Sequence, residues 1–133
     1  DSGIPAEMTA KFQQGLCAIS MPEQSAILSA FANDVEPKLV YAQTVLACAR
    51  AGDVFLGIST SGNSENVVLA AKTAKAVGIT TIGLTGAAGG KLAEICDISI
   101  RVPATETFMV QEYHLPVYHA ICAEVERRLF DET

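Results

Sequence analysis

No tryptophan occurs in the 133 residues, and aromatic side chains make up only 6% of them. Half of the chain is nevertheless hydrophobic, so a core must be assembled mainly from Ala, Val, Ile and Leu. Small side chains of that kind suit helices packed closely on a sheet. Positive charge is scarce as well: nine Lys and Arg face fifteen Asp and Glu, a net charge of -6. Such a balance argues against a nucleic-acid backbone or an anionic membrane as the main partner. It leaves room for a local dipolar pocket that holds a single phosphate. No apolar run approaches the roughly 18 to 20 residues of a membrane span, and no leader pattern opens the sequence, so a cytoplasmic protein is expected.

Cysteine is sparse too, with Cys17, Cys48, Cys96 and Cys122 far apart and none in a metal-binding spacing. Three of them stand in apolar surroundings (Leu46-Ala47-Cys48, Glu94-Ile95-Cys96, Ile121-Cys122-Ala123), where a thiol acts as a small hydrophobe. They read as reduced, buried cysteines.

What is present is an alternation of short apolar runs and helical patterns. The runs are residues 16–21 (LCAISM), Val54–Ser59 (VFLGIS), 80–84 (TTIGL) and 98–102 (ISIRV). Five or six residues of nearly continuous apolar content predict strands buried on both faces of a parallel sheet. Helical patterns cover residues 24–31, 37–51, 64–77 and 110–130, with a short turn of helix over 91–96. In the third of these, Val67, Val68, Ala71, Ala74 and Val77 form a stripe that stops at Gly78. The expected fold is a single α/β domain over residues 1–133, a three-layer, doubly wound parallel sheet of the flavodoxin-like kind with right-handed crossovers. At the start, residues 6–14 look helical but no strand precedes them. A doubly wound domain ordinarily has another strand and glycine turn there, so either the protein is short or residues precede Asp1.

The most informative stretch is Gly57-Ile58-Ser59-Thr60-Ser61-Gly62-Asn63-Ser64-Glu65-Asn66. It follows an expected strand and opens an expected helix, the place where open α/β sheets gather ligands. A helix N-terminus offers unpaired N–H groups and partial positive charge, which suits a phosphate. Ser59, Thr60, Ser61 and Ser64 add four hydroxyls, and Gly62 lets the backbone turn closely. A bland alternative makes Ser61 or Ser64 a helix cap and leaves the other hydroxyls to decorate a turn; one cap accounts for one hydroxyl but not four. The loop lacks the Lys of a P-loop and the GxGxxG of a dinucleotide site, so a phosphate ester is expected and a nucleotide cofactor is not.

Gly52-Asp53-Val54 leading into GISTSGNSENV, followed by TTIGLTG, GGKLAEICD, IRVP and QEYHLPVYH, resembles the SIS (sugar isomerase) domain of phosphoheptose isomerases. The resemblance runs from about Ala6 to Phe130. STSGNS marks the wider family, while Asn33-Asp34 and the Gln111 to His119 segment point to the phosphoheptose branch. It implies an aldose-ketose isomerase that converts sedoheptulose 7-phosphate to D-glycero-D-manno-heptose 7-phosphate through an enediol. By the same resemblance Glu7 is the base, His119 the acid, and Ser59, Thr60, Ser61 and Ser64 the phosphate cradle. Asn33 and Asp34, which alone would read as a turn, and Gln111 would contact the sugar. His114 acquires no role.

The resemblance further implies a homotetramer with sites between subunits, and a zinc ion on Glu7, Gln111, His119 and one more His. That fourth ligand belongs about one turn before Glu7, where this sequence has Gly3. Gln111 and His119 are also eight residues apart, roughly 12 Å along a straight helix. A shared ion then needs a break near Pro116 or two subunits. Two other readings stay open: a non-catalytic sugar-phosphate module that binds a partner such as a replication initiator, and an isomerase for a pentose or hexulose phosphate.

Overall fold

The structure, a computed structural model, describes residues 3–13 and 15–130. Gln14, where the expected N-terminal helical segment ends, lies outside the described residues. Three strands, β1 (Val54–Ser59), β2 (Thr80–Thr85) and β3 (Ile98–Arg101), form a parallel sheet in the order β1-β2-β3. Phe55 stands beside Thr81, Gly57 beside Gly83 and Ser59 beside Thr85, while Leu84 stands beside Ile100. Alternation along each strand therefore puts Phe55, Gly57, Ser59, Thr81 and Thr85 on one face and Leu56, Ile58, Ile82 and Leu84 on the other.

The connections between successive strands are α4 (Glu65–Ala76) and α5 (Gly90–Ile95). Both crossovers advance in the same direction across the sheet, so right-handedness places both helices on the first face. Ala70, Ala71 and Ala74 of α4 are fully buried, and Val68 joins Phe55, Leu92 and Cys96 in the larger core. The other face receives α6 (Thr107–Phe130), whose Val110 packs with Leu84, Val102 and Ala104. Helix, sheet and helix make the three expected layers. Upstream, α3 (Val40–Cys48) packs on α4 and buries Val40, Ala42, Thr44 and Val45. Before it come α1 (Ala6–Thr9), α2 (Ser25–Asp34) and a 3₁₀ turn at Pro37–Leu39.

One carboxylate ties the helical layer to the strands. Lys75 Nζ of α4 donates to Asp97 Oδ1 at 2.6 Å, and Thr81 gives Asp97 Oδ2 both its N–H (2.9 Å) and its hydroxyl (2.7 Å). Lys75 first, then Thr81, hold the Asp97 carboxyl well below the usual carboxylate range.

Two expectations are corrected. Residues 16–21 do not form a strand. Cys17 through Met21 and Val54 through Ile58 of the edge strand β1 both line a groove of about 980 Å³. A β-run becomes a strand only when a ladder partner accepts its backbone, and here the groove separates the two. The same opening leaves Leu56 39% and Ile58 45% exposed although both are apolar. All four cysteines are free as expected, but only Cys96 is buried. Cys122 lies on the C-terminal half of α6, which buries none of its residues; Cys48 ends α3 beside the groove.

Candidate active site

At the C-terminal end of β1 the chain enters a loop whose polar groups first satisfy one another. Ser59 is 6% exposed; its Oγ accepts the Gly62 N–H at 3.1 Å and lies 2.9 Å from Ser64 Oγ. Ser61 Oγ accepts the Asn63 N–H at 3.1 Å, and the Asn63 amide donates back to the Ser61 carbonyl at the same distance. A second loop, between β2 and α5, clasps the first. Gly86 N–H donates to Thr60 O, Lys91 N–H to Asn63 Oδ1 and Leu92 N–H to Gly62 O, at 3.0, 3.1 and 3.0 Å. Gly62 has φ +69°, and a Cβ there would overlap the Gly89 carbonyl oxygen. Glycine is thus required at Gly62 both by conformation and by space.

The loop delivers α4 with its N-terminus bare. Ser64 occupies the N-cap position but makes no side-chain cap bond, because its hydroxyl turns to Ser59. Asn66 Oδ1 accepts the Val67 N–H at 2.9 Å. The N–H groups of Glu65 and Asn66 meet no acceptor among the described residues. Neither Ser61 nor Ser64 caps the helix; the Ser59 and Ser61 hydroxyls instead hold the amides of their own turn. Two cations flank this end. Lys38 Nζ, from the 3₁₀ turn, lies 2.8 Å from Glu65 Oε2, and Lys91, in the first turn of α5, is close enough for its charge to lower the Glu65 carboxyl. The sequence reading missed Lys38 and Lys91. Nothing local marks them, since only the packing of α4 against its neighbours brings them here.

The structure therefore unites Ser59, Thr60, Ser61 and Ser64 in one loop. Asn33 and Asp34 are the exposed last residues of α2 rather than a separate turn, two residues before the segment that carries Lys38. The acid–base candidates stand on two helices at opposite ends of the described residues. Glu7 lies on α1, which buries none of its residues, while Gln111 and His119 are exposed on α6. No hydrogen bond or ion pair among the described residues joins Glu7 to His119. The break considered at Pro116 is absent, since α6 continues through it. Gln111 and His119 thus leave one helix roughly 12 Å apart along its axis and about 80° apart around it. Among the described residues no cluster of three or more His, Cys, Asp or Glu is placed to hold a metal. The His119 ring meets Tyr118 edge-on at 5.2 Å, and His114, given no role above, is buried with Nε2 unpartnered among the described residues.

Residues 5–86 match the family described as SIS domain. The phosphoheptose isomerase of Clostridium acetobutylicum is 43% identical over 132 residues, covering 97% of this chain and 67% of the relative. That of Aneurinibacillus thermoaerophilus is 41% identical, with 96% and 66% covered. Among solved structures, phosphoheptose isomerase from Neisseria gonorrhoeae superposes with a TM-score of 0.78 at 39% identity, covering 81% of this chain and 60% of that one. The enzyme from Francisella tularensis gives 0.75 at 32% identity, with 79% and 56% covered. The chain thus spans about two thirds of the length of its curated relatives.

Proposed function

Starting from the premise that this chain belongs to the SIS domain family, among its phosphoheptose isomerases, we propose that it interconverts sedoheptulose 7-phosphate and D-glycero-D-manno-heptose 7-phosphate. The observation that carries the reading is the start of α4, where the Glu65 and Asn66 N–H groups meet no acceptor among the described residues, beside a loop of four hydroxyls. Its amides and helix dipole suit a phosphoryl group with no metal or lysine in the loop itself.

With the phosphate held there, the reaction at the other end of the sugar is a proton transfer. Glu7 removes a proton from C1 of the ketose, the C1–C2 bond gains double-bond character, and an enediol forms. The proton is returned at C2 while His119 moves the proton between O2 and O1, which leaves the aldose with no net gain or loss of atoms. Asn33, Asp34 and Gln111 are assigned to the sugar hydroxyls. No hydrogen bond or ion pair joins Glu7 to His119 among the described residues, and the site is completed in a homo-oligomer, a tetramer by family resemblance. Support comes from the apolar side chains that α6 leaves exposed, Val125 and Leu129 among them. Zinc does not fit the single chain: position 3 is Gly, and Gln111 and His119 leave an unbroken α6 roughly 12 Å apart along its axis. Four free cysteines accord with the cytoplasm, and no described helix is long and apolar enough to cross a membrane.

The test is conversion of sedoheptulose 7-phosphate by the full-length protein, with and without added zinc, followed by appearance of the aldose. Turnover supports the isomerase. Tight binding without turnover favours the second reading, a non-catalytic sugar-phosphate module, for which Gly3 in place of a fourth zinc ligand speaks.

A further inference from the structure

Glu65 is the first residue of α4, so its carboxylate stands beside the N–H groups proposed for the phosphate. An acid at that position is favourable to a helix, because it can face the helix's positive end. In an anion site the same acid is a competitor: it can occupy the amides, and it repels the incoming dianion. The structure shows it diverted. Glu65 Oε2 is 2.8 Å from Lys38 Nζ, on a turn whose own amide is fixed by Glu36 Oε1 at 3.1 Å. Lys38, and more weakly Lys91, hold the Glu65 carboxyl below its ordinary range.

We propose that Lys38 is a positioning residue for substrate phosphate: it holds the Glu65 carboxylate away from the start of α4 and cancels its charge. This rests on the reading of the loop as a phosphate site. The pair is more than half exposed on both sides, so it adds little to stability by itself. Its effect is on the anion that binds next to it. Removing Lys38 leaves a bare carboxylate near the phosphate and frees it to fold back over the amides.

Calorimetric titration of the full-length protein with inorganic phosphate and with sedoheptulose 7-phosphate tests this, at low and high salt. Lys38→Met is expected to weaken both ligands about three- to tenfold at low salt, and less at high salt where screening is strong. Glu65→Gln is expected to bind at least as tightly as the unsubstituted protein, and Lys38→Met combined with Glu65→Gln to recover its affinity. A merely structural bridge predicts the opposite pattern, with both single changes harmful and no recovery in the double. If Lys38→Met binds phosphate as well as the parent, the Lys38 proposal is wrong and the loop reading survives. If the unsubstituted protein binds neither ligand, the loop reading falls and takes this proposal with it.

Discussion

Ser59 Oγ lies 2.9 Å from Ser64 Oγ, a contact that joins the last residue of β1 to the residue preceding α4. It divides the four hydroxyls by task. Ser59 is buried and also accepts the Gly62 N–H, so it shapes the loop; Ser61 is exposed, and while its oxygen accepts the Asn63 N–H its proton can still be donated to a ligand. Ser59→Ala is expected to lower stability by about 0.5 to 1.5 kcal/mol, the net worth of a hydrogen bond. Ser61→Ala should leave stability near that of the parent and weaken sugar-phosphate binding by about 1.5 to 3 kcal/mol, the range for a hydrogen bond to a charged group. Thermal unfolding and calorimetric titration on the two variants read the two quantities separately. Equal effects of both changes on both readouts would show that the division is wrong.

Gly62 is where the two loops touch most closely. Alanine there would be forced into the left-handed region and into the Gly89 carbonyl. The backbone strain alone is about 1 to 3 kcal/mol, and the overlap adds to it. Gly62→Ala is expected to lower the melting temperature and abolish phosphate binding together. Gly78→Ala, also at positive φ but with open space around its Cβ, should lower only the melting temperature.

Much of this was legible in the residues. The strands at Val54–Ser59, Thr80–Thr85 and Ile98–Arg101, the helices between them and the hydroxyl loop all follow from local pattern, because each element carries its own periodicity and turn chemistry. The run at 16–21 has the same pattern and is no strand, because a strand needs a neighbour and composition does not report one. Cys48 and Cys122 look buried for a similar reason: apolar sequence neighbours do not say which helix face is covered. Lys38 was invisible because its meaning depends on Glu65, far along the chain. Glu7 and His119 were found by resemblance only, and no hydrogen bond among the described residues joins them.

Asp97 links pH to stability. Its folded-state value is depressed, so the stabilisation is fully present above the unfolded value of about 3.9 and is lost as the pH falls below that toward the folded value. Asp97→Asn is therefore expected to lower the melting temperature at about pH 7 and to narrow the gap to the parent at about pH 2.5. Melting curves across that range decide it. A gap that stays constant with pH would mean that the carboxylate's charge does not contribute.

The last expectation concerns where the catalytic pair meets. Glu7 is on an exposed turn near one end of the chain, and His119 projects from the middle of an uninterrupted helix that leaves Leu115, Val125 and Leu129 exposed. A symmetric assembly that covers this helix can set Glu7 of one subunit against His119 of another. Glu7→Gln keeps the shape of the side chain and loses the basic oxygen, so exchange of the substrate's C1 proton with solvent should fall by about 10² or more while binding persists. His119→Ala should likewise bind substrate and turn over little. Mixed and re-assembled, the two variants regain activity only if each site draws on two subunits, since some sites then receive both unaltered groups. For random pairing in a two-fold unit half the pairs are mixed and one of their two sites is complete, which gives about a quarter of full activity. Activity should also decline on dilution as the assembly separates, followed by light scattering. Variants that exchange subunits yet remain inactive, or a fully active monomer, would place both groups in one chain's site and refute the shared arrangement.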